Sequence, residues 1–199
     1  MPTDAAAARS GRPRASSREV LAEAACELFL EQGYEATSIA DITRRAGVSR
    51  SSFFNYFTSK ADVLWSGLDE RIEALVTRLT TAHTARTADA DADVRTALVA
   101  MAEGFAPDSL ALALLNARQM GLGDELAREA SVRHARIARP VATRLRAAGA
   151  DDLRAAVVAA AYGGAVLAAI EEWARHEPGR TPLVVVLGRA LDVLGFSAG

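Results

Sequence analysis

The chain has one cysteine, three histidines and a single lysine among 199 residues. Each scarcity closes off a class of function. With Cys26 alone, no disulfide can form within the chain, which fits a reducing, cytoplasmic setting. Cys26 falls within an apolar helical pattern and reads as a small core residue. His83, His134 and His176 have no metal-ligand spacing to another His or Cys, so no metal site is expected. Nucleophile elbow, phosphate-binding glycine loop and dinucleotide fingerprint are all missing. We therefore expect no catalytic residues and no cofactor. No segment alternates in the manner of a strand between turn dipeptides, which leaves an all-α fold. No long apolar stretch of the signal-peptide kind opens the chain. The run VVAAAYGGAVLAAI (157–170) is short for a bilayer span, and Asp151, Asp152, Arg154, Glu171 and Glu172 bound it. It reads as a buried helix, with no membrane association.

Aromatics are few, at 6%, and the net charge is only −2. The overall charge balance thus points to no partner. Half of the residues are apolar, enough for a substantial core. What the chain does have is unevenly placed. In GVSRSSFFNYFTSK (47–60), Phe53, Phe54, Tyr56 and Phe57 crowd into five positions behind a polar start. Cationic charge is local as well. Arg9, Arg12, Arg14, Arg18, Arg44, Arg45, Arg50 and Lys60 fall in two windows, 9–18 and 44–60, that contain no Asp or Glu. Arginine dominates, and its planar fork suits phosphates and base edges.

Periodicity divides the chain. Residues 1–15 form a flexible basic arm. Ser16 and Glu19 have capping-box spacing at the start of a first helix that Gly33 stops. Glu19, Glu23, Glu27 and Glu31 share one face of it, which must turn away from any phosphate backbone. A short second helix over about 39–46, capped by Thr37 or Ser38, meets the turn residue Gly47. A third starts from Ser49 and ends near Phe57, and a long fourth opens at Ser59-Lys60-Ala61-Asp62. TARTADADAD (84–93) reads as a surface loop. Its Asp89, Asp91 and Asp93 do not make a calcium loop, because Val94 and Ala100 stand where glycine and glutamate are required. Five more helices follow, over about 94–105, 109–121, 124–148, 151–176 and 182–195, with Pro140 a candidate kink. The total is about nine helices.

Three short helices with a glycine turn before the third are the layout of a helix-turn-helix reader of double-stranded DNA. The third helix enters the major groove by its N-terminal end, where Arg50, Ser51 and Ser52 stand. Phe53 and Phe57, four apart, pack inward on Leu28, Phe29, Ile39 and Ile42. Phe54 is either an exposed apolar contact to sugar or a thymine methyl, or core filler. Arg44 and Arg45 are DNA contacts or merely solvated charges.

Residues 17–64 resemble the DNA-binding domain of the TetR family of transcriptional regulators. The resemblance rests on Ala24, Leu28, Phe29, Gly33, Tyr34, Thr37, Ile39, Ile42, Ala46, Gly47, Val48, Ser49, Tyr56, Phe57, Lys60 and Leu64, and on the spacing GVS-x6-YF-xx-K. FFNYFTSKADVLW also resembles a subgroup of actinobacterial regulators associated with mycofactocin genes. Expected DNA contacts are Arg12, Arg14, Ser38, Arg44, Arg45, Ser49, Arg50, Ser51, Ser52, Phe54, Asn55, Tyr56 and Lys60, with Lys60 matching the family's phosphate-contacting lysine. Where the family has a phosphate-bonding Tyr, this chain has Phe54. Either Tyr56 supplies the hydroxyl or a contact worth about 1 kcal/mol is lost.

The resemblance implies a helix-turn-helix domain at 16–60 and an effector-binding and dimerisation domain at 61–199. Helices 5 to 8 enclose a pocket for a small, largely apolar effector, such as an acyl thioester, and helix 4 transmits its occupancy. Candidate lining residues are Trp65, Met101, Phe105, Asn116, Gln119, Met120, His134 and Tyr162. Arg128, Arg133, Arg136 and Arg139 are a solvated face or a guide for an anionic ligand. A homodimer surface is expected on the last two helices, through Ala156, Ala160, Gly163, Gly164, Ala168, Val184, Leu187, Leu191 and Leu194, with Trp173 near its edge. The resulting expectation is a ligand-responsive repressor of a palindromic operator. The alternatives are a DNA-binding regulator without an effector, and a helical enzyme or ligand carrier.

Overall fold

The computed structural model describes residues 17–82, 89–106, 108–176 and 179–195. The expected arm, with Arg12 and Arg14, lies outside them, as do Ser16 and His83. Among the described residues there are ten helices and no strand. Three form the N-terminal head: α1 (Ser17–Gln32), α2 (Ile39–Ala46) and α3 (Arg50–Phe54). The long α4 (Lys60–Ala82) leads into α5 (Ala90–Ala102), α6 (Ser109–Leu115), α7 (Ala117–Met120), α8 (Gly123–Ala147), α9 (Asp152–Arg175) and α10 (Leu183–Gly195).

Three boundaries differ from expectation for local reasons. α5 starts at Ala90, inside the expected loop. Asp89 Oδ1 accepts from the Ala92 amide at 3.0 Å, and Asp91 and Asp93 sit in the first turn, where carboxylates favour a helix. The aspartate run is thus a helix start. The expected 109–121 helix breaks at Asn116, whose side-chain amide donates to the Leu112 carbonyl at 2.9 Å and competes with the backbone ladder. α3 ends at Phe54, three residues early, while Phe57 remains buried. Pro140 lies within α8, which continues through it.

The core of the larger region lies between α4, α5, α6, α8, α9 and α10, around Leu68, Ile72, Leu98, Leu110, Ile137, Val166 and Leu187. α9 and α8 approach closely at Gly163. A Cβ there would lie 3.0 Å from His134 Cδ2 and 3.1 Å from the His134 carbonyl oxygen. Gly163 therefore faces α8 and not a second subunit. By length and composition alone α9 could cross a bilayer. Here it packs on α8 and α10 and buries Ala155, Tyr162, Val166, Ile170 and Trp173.

Candidate nucleic-acid interface and effector region

The head is built around aromatic rings. Phe29, Phe53 and Phe57 are buried with Leu28 and Ile42, and Ile39 packs at the edge. The Phe53 and Phe57 rings lie 5.5 Å apart. Caps then set the turn. Ser38 and Asp41 make a reciprocal capping box on α2, which holds the Asp41 carboxyl below its ordinary range, chiefly through the Ser38 hydroxyl. Gly47 ends α2 in the left-handed region at φ 67°, its N–H reaching the Arg44 and Thr43 carbonyls. Ser49 caps α3 by accepting from the Ser52 amide at 3.2 Å. Its hydroxyl also bonds those of Ser51 and Ser52 at 2.8 and 2.9 Å.

This scaffold exposes Arg50, Ser51, Phe54, Asn55 and Tyr56 together, with Ser49 beside them. Phe54 is 47% and Tyr56 45% exposed, so neither ring fills the core. The Arg50 guanidinium lies 5.7 Å from the Phe54 ring centre, near enough for the ring to bias its direction. Ser38 is exposed too, though its side chain is engaged in its cap. Arg44 is mostly exposed and pairs with Asp41.

Two expected contacts are placed otherwise. Arg45 is bound by Glu27 at 3.0 Å and by Glu31 at 2.6 Å. The hydrogen bond to Arg45 lowers the Glu31 carboxyl pKa. The acidic stripe of α1 was expected to face away from this surface, yet its last two members, Glu27 and Glu31, reach across to Arg45 and neutralise that one charge. Lys60 points inward. Its ammonium donates to the Tyr34 and Thr37 carbonyls, both at 2.8 Å, and lies 4.3 Å from the Tyr34 ring centre. Two of its three N–H groups are thus used within the protein.

The eight residues expected around one ligand fall into five groups. Met101 and Phe105 line a small apolar cavity with Leu68, Val166, Ile170 and Leu187. Its volume is about 10 Å³, room for one water. Asn116, Gln119 and Met120 lie at the α6–α7–α8 junction against the head. Trp65 is buried beneath the Arg133 guanidinium, 4.7 Å from ring centre to Cζ. His134 bonds the Ala160 carbonyl at 2.9 Å in the α8–α9 seam, and the Tyr162 hydroxyl donates to Asp91 at 3.3 Å. Burial, then the Asp91 charge, push the Tyr162 hydroxyl up to about 12. Trp173, expected near a dimer edge, is core. Its indole donates to the Thr181 carbonyl at 2.8 Å and its ring meets Phe105 edge-on.

Sequence reasoning missed two features. One is Arg71, whose guanidinium donates to the carbonyls of Met101 and Glu103 at 2.8 Å and of Gly104 at 3.0 Å, closing the end of α5. The other is an open groove of about 490 Å³ between α4 and α8. Val76, Leu79 and Pro140 give it an apolar surface; Arg139 stands exposed in its wall, while Arg136 is paired with Asp69 and with Glu73, itself a lining residue, and Arg144 with Asp93. The spacing of Arg136 and Arg139 on one helix was the available signal.

Comparison with known proteins decides the family. Residues 21–65 match the model described as bacterial regulatory proteins, tetR family, and residues 91–197 match the MftR C-terminal domain. The second match covers more than half of the chain. The protein belongs to the TetR family. Among its relatives is the proposed mycofactocin biosynthesis transcriptional regulator MftR of Mycobacterium tuberculosis. It is 33% identical over 67 residues, which are 34% of each chain. The transcriptional repressor ComR of Escherichia coli is 35% identical over 63 residues, 32% of this chain and 30% of that one. The chain thus spans about a third of the length of the curated relatives it matches. Across the whole fold, the structure of Thermus thermophilus FadR with lauroyl-CoA superposes with a TM-score of 0.55 at 24% identity. That match covers 92% of this chain and 95% of the other.

In this TetR-family chain, the expected dimer residues fall into two groups. Ala156, Ala160 and Ala168 are exposed, and Gly164, Val184 and Leu194 are partly so. Leu187 and Leu191 are buried in the subunit's own core, because α10 turns that side toward α9 and α5. Leu153, Val157, Val185 and Val193, all more than half exposed, extend the apolar surface in their place.

Proposed function

We propose that the protein is a cytoplasmic, ligand-responsive repressor that binds a palindromic operator as a homodimer and releases it when a small effector binds. One observation carries the DNA-binding part: Arg50, Phe54, Asn55 and Tyr56 stand exposed together on a tip whose other side is a buried aromatic core. Arg50 reads a base edge, and Ser49, Ser51, Ser52, Arg44 and Tyr56 position the head on phosphates. Arg45 and Lys60 serve the head's own structure first. Two heads one helical turn apart, about 34–36 Å, supply the specificity that one lacks. The exposed apolar surface of α9 and α10 supports an isologous pairing of residues 61–199, leaving 16–60 as the reading head.

The α4–α8 groove supports an amphipathic effector with an apolar chain and an anionic end, as an acyl thioester has. The family is one of regulators, and we propose no catalytic step, metal or cofactor. The small volume of the central cavity favours a second reading, in which the regulator takes no effector. Selection of bound duplexes from a random library, then titration of the complex with acyl-CoAs of increasing chain length, tests both parts. A recovered palindrome that acyl-CoA displaces is the expected result. Recovery of no common sequence rejects the operator, and a complex that no acyl-CoA disturbs favours the second reading.

A further inference from the structure

The turn between α1 and α2 is bonded to the start of α4 and, separately, to the larger domain. The first link is Lys60, at the start of α4, through its bonds to the Tyr34 and Thr37 carbonyls. The second involves α7, a single turn of helix that no local sequence signal marks. There the Tyr34 amide donates to the Met120 carbonyl at 2.7 Å, and the Tyr34 hydroxyl donates to Glu125, in the first turn of α8, at 3.2 Å. The Gln119 amide donates to the Leu30 carbonyl at 3.3 Å. Tyr34 and Met120 are both buried. The Tyr34 ring also packs on Phe29, 5.0 Å between centres, and so belongs to the aromatic core that holds α3.

Two glycines shape the junction. Gly33, at φ 88°, turns the chain out of α1 so that the Tyr34 amide faces α7. Gly121, at φ 68°, ends α7 with its N–H on the Ala117 and Arg118 carbonyls. Neither geometry suits a residue with a Cβ. If α7 moved by an ångström or two while the head stayed, the Tyr34 N–H and the Met120 C=O would both be left unpaired away from water. Buried groups resist that outcome, so the head follows α7 or the bond breaks outright.

We propose that Tyr34, with Met120, Gln119 and Glu125, is a latch that couples the larger domain to the reading head separately from α4. α6 packs on α9, α4 and α1, and α7 follows it across the break at Asn116. A shift of α6 therefore reaches α3 through Tyr34 and Phe29, whether or not α4 moves. Tyr34 is a positioning residue here and touches no DNA. The inference rests on the proposed reading that the head binds DNA.

Coupling is reciprocal, so operator binding at the head must be felt at α7. Hydrogen–deuterium exchange of the full chain, with and without a duplex recovered by selection, tests this. In the wild type, operator is expected to change exchange over 117–122 by at least about fivefold, the lower end of usual coupling. In the Tyr34→Phe/Gln119→Ala double variant, which removes both side-chain bonds of the latch and leaves the Tyr34 amide–Met120 carbonyl bond, that response shrinks at least threefold while residues 60–70 respond as before. An unmoved 117–122 in wild type, with α1–α3 protected, overturns the latch and leaves DNA binding intact. So does a double variant that responds as wild type does. If no duplex protects α1–α3, DNA binding and the latch fall together.

Discussion

The head and the larger domain are held together by different chemistry. In the head, three buried phenylalanines and a set of local caps fix three short helices. In the larger domain, arginines of one helix bind carboxylates or carbonyls of another. Arg133 and Arg136 pair with Asp69, Arg136 also with Glu73, Arg144 with Asp93, Arg95 with Asp192, and Arg71 holds the end of α5. Packed rings resist small displacements, because a shifted ring opens a void on one side. Ion pairs can exchange partners at lower cost where water reaches them, as at Arg95–Asp192 and Arg136–Glu73, whereas Arg133 and Arg144 are buried. A rigid head joined to a more adjustable larger domain fits the ligand-responsive regulator proposed above.

Substitutions can break or sharpen this contrast. The largest effect is expected for Phe53→Ala, which empties the centre of the head and costs about 3–5 kcal/mol. Urea unfolding should show it, and operator binding should vanish with the head. Arg133→Ala should cost less, about 1–3 kcal/mol, because Asp69 loses one charged partner and keeps Arg136. Here Arg133→Met is the informative partner. If the pair serves adjustability more than stability, the methionine variant unfolds at wild-type urea or later, while its response to effector is weakened.

Gly47→Ala comes next, at roughly 1 kcal/mol. The added methyl has open space around it, so the cost is backbone strain alone. Gly47→Asn should recover part of the lost urea midpoint, since Asn tolerates that conformation. The smallest effect concerns acid. Asp62 at the start of α4 is partly buried, which opposes ionisation, yet bonds from the Thr58 hydroxyl and amide outweigh that and hold its pKa low. Its contribution is therefore complete above about pH 4 and lost as pH falls through its lower folded value. Asp62→Asn should flatten the wild-type fall in urea midpoint on that acid side only.

How much could be read from the residues follows the same division. Gly47, Ser49, Phe53 and Phe57 act within a few residues of one another, and their spacing alone places them. Arg45 shows the limit within the head. Its partners Glu27 and Glu31 lie on a different helix, and nothing near Arg45 in sequence announces them. In the larger domain most informative contacts are of that distant kind. Tyr162 and Asp91 are 71 residues apart, and Tyr34 and Glu125 are 91 apart. Apolar periodicity placed the helices to within a few residues, but it did not set their rotation. Leu187 and Leu191 therefore read equally well as dimer surface, while the structure turns them into the subunit's own core.

On the proposed reading, a rigid aromatic core aims Arg50 at a base edge in each of two paired heads. The direct measurement is fluorescence anisotropy of wild type and Arg50→Ala on the selected palindrome and on its scrambled duplex, at several salt concentrations, with the mass of each complex determined by sedimentation. Two chains per palindrome are expected, with a loss of about tenfold or more for Arg50→Ala on the palindrome and little change on the scrambled duplex. Equal losses on both duplexes, or one chain per palindrome, would contradict that reading.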